Sequence, residues 1–178
     1  MKKTLIIALS CIAIMFAACK KPVEPTPVDP TPVDYTANYV GSYLGQFTLT
    51  VNSMNNQAQT GMSFPIDSIR MNITKGTETN AITATMLIDN ETYQATGTAT
   101  ADKVDFGTVH LIIDETHQIS SPYKFNLDLL MEGTKAESDT LNIVGTFSGD
   151  GNFTAPTGDV IQLDEVSGNI NGKLMKQQ

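Results

Sequence analysis

The chain has 178 residues and a formal net charge of −8, with 13 glycines, 8 prolines, 2 cysteines and no tryptophan. This length fits one domain of ordinary size, and 40% hydrophobic with 17% charged residues excludes a wholly disordered chain. The acidic balance and the lack of a long basic run exclude a surface that attracts phosphate backbones, so we expect no nucleic-acid partner.

A charged start and a short apolar stretch open the chain. Lys2 and Lys3 precede the apolar run 5–18, which only Ser10 interrupts. This run is too short to span a bilayer, which requires about 20 apolar residues. Residues 1–18 are therefore predicted to be a secretory signal peptide.

The leader ends at a cysteine. Phe16-Ala17-Ala18-Cys19 resembles the bacterial lipobox, with Phe16 where leucine is usual. The resemblance implies cleavage before Cys19 and a lipid on its sulfur, and several acyl chains would form a lasting anchor. We expect a lipid-anchored outer-membrane protein, on either the periplasmic or the cell-surface face. The alternative is an ordinary signal peptide that leaves Cys19 as a free thiol.

A proline-rich segment follows the cysteine. Pro22–Asp34 reads PVEPTPVDPTPVD, in which Pro30–Asp34 repeats Pro25–Asp29 letter for letter. Proline at this density fixes φ and removes hydrogen-bond donors, which predicts an extended polyproline II stalk. Residues 19–34 are interpreted as the lipidated cysteine and a linker. A proline-rich ligand for a partner's groove is the alternative.

From Tyr35 onward, hydrophobic and polar residues alternate with a period of two. Such alternation predicts half-buried strands, because successive side chains leave a strand on opposite faces. The eight runs are Tyr43–Val51, Ile69–Ile73, Ile82–Ile88, Tyr93–Ala99, Val104–Ile113, Tyr123–Met131, Leu141–Phe147 and Val166–Leu174. Residues 35–178 are therefore predicted to form one all-β domain.

Turn signals separate these runs. Asp89-Asn90-Glu91 and Ala101-Asp102-Lys103 are predicted to be tight connections, and Asp150-Gly151 is predicted to be a hairpin turn. The fifth run changes phase after Phe106, which predicts a β-bulge near Gly107.

Eight runs with mostly short connections predict an antiparallel meander. Closing it into a barrel would pair the first run with the last and remove both edges, whereas a two-sheet sandwich is the alternative. Glycines on the apolar faces would permit tight curvature. They are Gly45, Gly97, Gly145, Gly168 and Gly172.

The opening of the domain resembles a known family. Residues 38–45, NYVGSYLG, are similar to the first strand of calycin-like barrels found in small bacterial lipoproteins. These barrels are distant relatives of lipocalins, whose first strand carries Gly-x-Trp, and Gly41-Ser42-Tyr43 would hold that place. The resemblance covers residues 38–175 as a strand pattern. It implies an eight-stranded barrel and no known activity.

Side chains with metal-binding chemistry are sparse. Asp114-Glu115-Thr116-His117 could supply two or three ligands, but a strand end directs them to alternate faces. A mature chain with a lipidated Cys19 would also offer no thiolate. Residues 150–154 place oxygens at alternate positions, as calcium loops do, without the later bidentate glutamate. We interpret the first group as a solvated loop and the second as a turn, and expect neither metal nor cofactor.

The chain shows no pattern typical of an enzyme. It has no Gly-x-Ser-x-Gly elbow, no phosphate-binding loop and no dinucleotide fingerprint. His110 is interpreted as a surface or rim residue of its strand. We expect no enzymatic activity. A hydrolase is the third hypothesis, which a cleft joining a histidine to carboxylates would favour.

Methionines and aromatics on the apolar faces suggest a ligand cavity. Methionine adapts its shape, and an eight-stranded barrel can either be packed solid or hold one small ligand. The predicted cavity residues are Tyr43, Phe47, Met71, Met86, Phe125 and Met131. The sequence thus favours a membrane-anchored lipoprotein whose non-enzymatic barrel binds a small apolar ligand. The alternative is a structural or interaction lipoprotein that docks a protein or glycan partner through its outer surface.

Overall fold

The computed structural model describes residues 31–114, 122–137 and 139–178. The chain divides into two compact units, Met1–Thr31 and Pro32–Gln178. The predicted signal peptide, Cys19 and most of the linker lie outside the described residues. Within the described ranges, no helix combines the length and the apolar character needed to cross a membrane.

The second unit is an antiparallel β-structure preceded by a short 3-10 helix, Thr36–Asn38. Each predicted run lies in one of eight long strands, and a two-residue strand, β2, is additional. The strands are β1 Gly41–Met54, β2 Gln57–Ala58, β3 Ser63–Lys75, β4 Ala81–Ile88, β5 Glu91–Ala99, β6 Lys103–Asp114, β7 Tyr123–Glu137, β8 Thr140–Thr154 and β9 Val160–Lys176. Their order in the sheet follows the chain, except that β2 pairs only at the end of β1.

The sheet closes into a barrel because the first strand pairs with the last. The β1–β9 ladder runs from Tyr43 opposite Lys176 to Met54 opposite Val166. The predicted closure is therefore confirmed, and the sandwich alternative is wrong.

Inward-facing side chains fill the barrel as one hydrophobic core. In β4, for example, Ile82, Ala84, Met86 and Ile88 are buried, whereas the residues between them are partly exposed. Complete burial of an isoleucine or methionine side chain stabilises the fold by about 1.5–3 kcal/mol. The alternation that predicted the strands is thus the pattern that packs them.

The register of the barrel shifts at bulges in several ladders, and those in β6 and β3 adjoin the site described below. Gly107 has φ 65°, and the β6–β7 register shifts between Asp105 and Thr108, so the predicted bulge is confirmed. A second bulge, in β3, places Asp67 and Ser68 between the partners of Gly45 and Phe47. Nothing in the sequence pattern indicated this second bulge.

The predicted hairpin turn at Asp150-Gly151 is wrong. Both residues lie inside β8, where Asp150 pairs with Asn126 and Gly151 pairs with Phe125. The β8–β9 turn follows at residues 155–159. A Cβ on Gly151 would lie 2.3 Å from the ring of Phe125, so close packing explains this glycine. In a strand the oxygens of residues 150–154 also point to alternate faces and do not converge as a calcium loop does.

One end of the barrel, here called the closed end, is covered by the segment that precedes β1. The Tyr35 amide donates to Asn80 Oδ1 at 2.7 Å, and the buried Tyr43 hydroxyl donates to the Tyr39 carbonyl at 2.7 Å. Lys176 Nζ donates to the Val40 carbonyl at 2.7 Å. The β3–β4, β5–β6 and β7–β8 connections lie at this end, and the other connections lie at the opposite, open end.

Closure of the barrel depends on Gly168 in β9. A Cβ built there would lie 2.0 Å from the Thr50 carbonyl oxygen and 2.5 Å from the ring of Phe147. Gly168→Val should destabilise the fold by about 1–3 kcal/mol through overpacking. Chemical denaturation measures this loss. Asn169→Val, on the exposed face of the same strand, should change stability by at most about 0.5 kcal/mol. Equal effects of the two variants would contradict the assignment.

Asp34 connects the end of the linker to the closed end. Its carboxylate accepts from Lys75 Nζ, from the Thr36 amide at 3.0 Å and from the Thr36 hydroxyl at 2.7 Å. The bond from Lys75, followed by those from Thr36, lowers the pKa of Asp34 from 3.8 to about 2.

A folded-state pKa below the unfolded value gives stability that is present above about pH 4 and is lost as the pH falls towards 2. We therefore expect Asp34→Asn to lower the thermal midpoint at pH 6 and to match the wild type near pH 2. Glu78→Gln, on the exposed β3–β4 connection, is the control and should follow the wild type throughout. A midpoint difference for Asp34→Asn that persists unchanged at pH 2 would contradict this role.

Candidate functional site

The barrel wall has a notch where its shortest hairpin ends. β4 and β5 have 8 and 9 residues, whereas the flanking strands β3 and β6 have 13 and 12. The hairpin turns at Asp89 and Asn90, with φ 48° and 68°, as a tight two-residue turn requires. β3 and β6 continue past this turn towards the open end and leave a gap between them.

The notch widens because β5 and β6 separate. Their registered pairs are Thr98 with Asp105 and Ala99 with Val104, after which the Gly107 bulge leaves β6 paired with β7. Across the gap, the Tyr93 hydroxyl donates to the Ile112 carbonyl at 3.1 Å. Burial raises the pKa of the Tyr93 hydroxyl.

A cleft of about 810 Å³ occupies the notch. Its apolar and aromatic lining comes from five strands, β3 to β7. These residues are Phe64, Pro65, Ile66, Ile88, Tyr93, Leu111, Ile112, Ile113 and Tyr123. Its acidic lining comprises Asp67, Asp89, Glu91 and Asp114. The cleft therefore combines an apolar wall with four carboxylates.

The rings of Phe64 and Tyr123 form the floor of the cleft, and the ring of Phe125 packs against both of them. The centroid of Phe64 lies 5.6 Å from that of Tyr123 and 5.5 Å from that of Phe125, and Tyr123 and Phe125 are 5.7 Å apart. Below them, the void lined by Leu49, Phe147 and their neighbours measures about 10 Å³. The residues around this void belong to the hydrophobic core or pack against it.

The β3 bulge lines one side of the cleft under backbone strain. Ser68 has φ 57°, in the left-handed region that serine rarely adopts. Such a conformation costs on the order of 1–3 kcal/mol and recurs at binding and catalytic sites. The strain turns Asp67 and Ser68 towards the cleft, which both residues line.

The six residues predicted to line a ligand cavity all lie in the core. Tyr43, the most exposed of them, is only 5% exposed, and Phe47 and Met86 are fully buried. They belong to one core cluster, and Phe125 alone adjoins the cleft floor. The assignment of a cavity to these six residues stays a prediction.

The two histidines belong to separate predictions, and the structure describes one of them, His110. His110 Nδ1 lies 2.9 Å from Asp128 Oδ1 on the outer face, where both side chains are about 60% exposed. Residues 115–117 lie outside the described residues. In the described part of the chain, no group of three or more histidine, cysteine, aspartate or glutamate residues could hold a metal ion.

The alternation of the sequence gives no sign of the cleft. Residues 64–68 lie outside the run predicted as Ile69–Ile73, because the bulge breaks the alternation there. The sequence pattern also gave no sign of unequal strand lengths, because the predicted run Ile69–Ile73 is shorter than the runs Ile82–Ile88 and Tyr93–Ala99 that follow it. In the structure, β3 extends to Ser63 and exceeds both strands of the β4–β5 hairpin.

The fold and the cleft define a closed eight-stranded antiparallel barrel with a notched wall. No protein-family model matches the chain, and a search of curated proteins finds no match. Among solved structures, the chain is similar to a protein with unknown function from the DUF3598 family of Nostoc punctiforme PCC 73102. The identity is 12% and the TM-score is 0.39. The similarity covers 85% of this chain and 52% of the other, so the chain spans about half the length of that protein.

Proposed function

We propose that the barrel is a non-enzymatic domain that binds a small ligand in the notch. The observation that carries this proposal is the cleft of about 810 Å³ with an aromatic floor. Ligand sites typically measure about 300–1,000 Å³ and combine an apolar lining with a few polar groups. The buried core cluster inside the barrel supports the notch, rather than the barrel axis, as the place of binding.

Two features of the wall support this location. The strained Ser68 lies in the cleft lining, as expected where the backbone is shaped for binding. The Tyr93 hydroxyl donates a hydrogen bond to the Ile112 carbonyl and so links β5 to β6 across the gap.

The absence of catalysis is part of the proposal. His110 pairs with Asp128 on the outer face, so the described residues bring no imidazole to the carboxylates of the cleft. General acid–base chemistry requires a proton-transferring group within hydrogen-bond reach of the substrate. A binding role therefore fits the notch better than hydrolysis does.

We further propose that the domain is calycin-like and belongs to a lipoprotein. Gly41-Ser42-Tyr43 begins β1, the position that the resemblance to calycin-like barrels assigns to it. The lipobox-like residues before Cys19 support a lipid anchor on the outer membrane. The linker enters the barrel at the closed end through Asp34, which leaves the notch at the opposite end free of the linker's last residues.

A second candidate function is docking of a protein partner through the outer face. Met175 pairs with Leu44, Leu44 pairs with Arg70, and Arg70 pairs with Leu87, which forms a row across four strands. A groove of about 430 Å³ follows this row. Loss of a partner from a Leu44→Ser variant that keeps notch binding would favour this function.

A blocking substitution tests ligand binding in the notch. Ile113 lines the cleft floor, so Ile113→Trp should fill it and weaken binding of the neutral fluorophore Nile red at least tenfold. The full chain with Cys19→Ser is titrated by fluorescence, and circular dichroism verifies the fold. Leu130→Trp, on the outer face, is the matched control and should bind as the parent does. Equal affinities for both variants, or no binding by the parent, would overturn the proposal.

A cysteine substitution tests the anchor. Cys19→Ser should move the protein from the membrane fraction to the soluble fraction and abolish labelling by a palmitate analogue. Cys11→Ser, inside the predicted leader, is the matched control and should remain attached. The anchor assignment is wrong if the Cys19→Ser protein still fractionates with membranes and takes up the label.

A further inference from the structure

We infer that the ligand of the notch is an organic cation, a protonated amine on an apolar body. This inference rests on the proposed function and specifies its ligand. The cleft gives the location of the site, and the charged side chains around it indicate the sign of the ligand's charge.

The carboxylates of the cleft come from three sides. Asp67 lies on the β3 bulge, Asp89 and Glu91 flank the β4–β5 turn, and Asp114 ends β6. Lys124 Nζ lies 3.0 Å from Asp114 Oδ2. Within the described residues, Asp67, Asp89 and Glu91 form no ion pair, so the cleft keeps an excess of negative charge that a cation would neutralise.

The distribution of lysines strengthens this excess. Five of the six described lysines lie near the closed end, and Lys124 alone lies at the open end. The five are Lys75, Lys103, Lys135, Lys173 and Lys176. Arg70 lies on the outer face and lines the separate groove. Further acids, Asp164 and Glu165 among them, lie towards the open end. Such an asymmetric field attracts cations to the notch and repels anions from it.

The size and lining of the cleft indicate an organic rather than a metallic cation. In the part of the chain that the structure describes, the carboxylates do not form a group that could hold a metal ion. The cleft also presents the rings of Phe64, Tyr93 and Tyr123. Aromatic faces attract ammonium groups and bury apolar surface at the same time. A protonated amine with an apolar body would place its charge beside the carboxylates and its apolar body against the aromatic rings.

Three compounds with one body and different charges test the inference. They are 4-phenylbutylamine, 4-phenylbutan-1-ol and 4-phenylbutanoate, titrated by calorimetry into the full chain carrying Cys19→Ser. The amine should bind at least tenfold more tightly than the alcohol, and the butanoate should bind most weakly. Added salt should reduce the difference, because screening weakens exposed charge interactions.

Two double variants locate the effect. Asp89→Asn with Glu91→Gln should reduce the preference for the amine over the alcohol to less than threefold. Asp164→Asn with Glu165→Gln removes the same charge near the same end, outside the cleft lining, and should keep the preference. A preference lost equally in both variants would show general attraction to an acidic surface and would overturn the inference.

The outcomes separate this inference from the proposed function. If the alcohol binds as tightly as the amine and Ile113→Trp blocks both, the notch binds ligands and the cation assignment is wrong. If none of the three compounds binds and Nile red does not bind, the proposed function itself fails. If hexalysine binds more tightly than the amine and Ile113→Trp does not weaken it, the acidic end recognises polycations and the inference is overturned.

Discussion

The pairing of β1 with β9 is the interaction on which the rest of the barrel depends. It turns a meander with two exposed edges into a closed wall, and it forces the two strands into close approach. Gly168 and Gly172 permit that approach, because a Cβ at either position would meet the backbone of β1 within about 2.5 Å. The buried side chains of the strands form one hydrophobic cluster inside this wall. The cleft of about 810 Å³ lies in the wall itself.

The notch follows from unequal strand lengths within this constraint. A packed barrel of equal strands would end in a level rim, but the β4–β5 hairpin turns back after 8 residues in β4. Its neighbours continue. Beyond the Gly107 bulge, β6 keeps its pairing with β7 but has no registered pair with β5, so the wall opens beside Tyr93. Core side chains that would have been covered by a longer hairpin become the aromatic floor. The same truncation places the turn acids at the edge of that floor.

Alternation in the sequence predicted most of the fold, because each half-buried strand must present one apolar face. It predicted eight strands, their closure and the bulge at Gly107. It failed at Asp150-Gly151. This dipeptide is typical of a hairpin turn, but here the glycine lies inside a strand and makes room for the ring of Phe125. It also could not locate the cleft. Period-two patterns show which side chains point inward, but relative strand length, register and the positive φ of Ser68 decide whether space remains beside them.

The contacts before β1 give the domain a defined mechanical attachment. A pull applied along the linker would first load the Asp34–Lys75 ion pair and the hydrogen bond from Tyr35 to Asn80. These few bonds can break one at a time, which would peel the 3-10 helix from the closed end. Beyond Gly41 the same force meets ladders on both sides of β1, where many hydrogen bonds share the load at once. The short segment would act as an extensible coupling that yields before the barrel and its cleft are deformed.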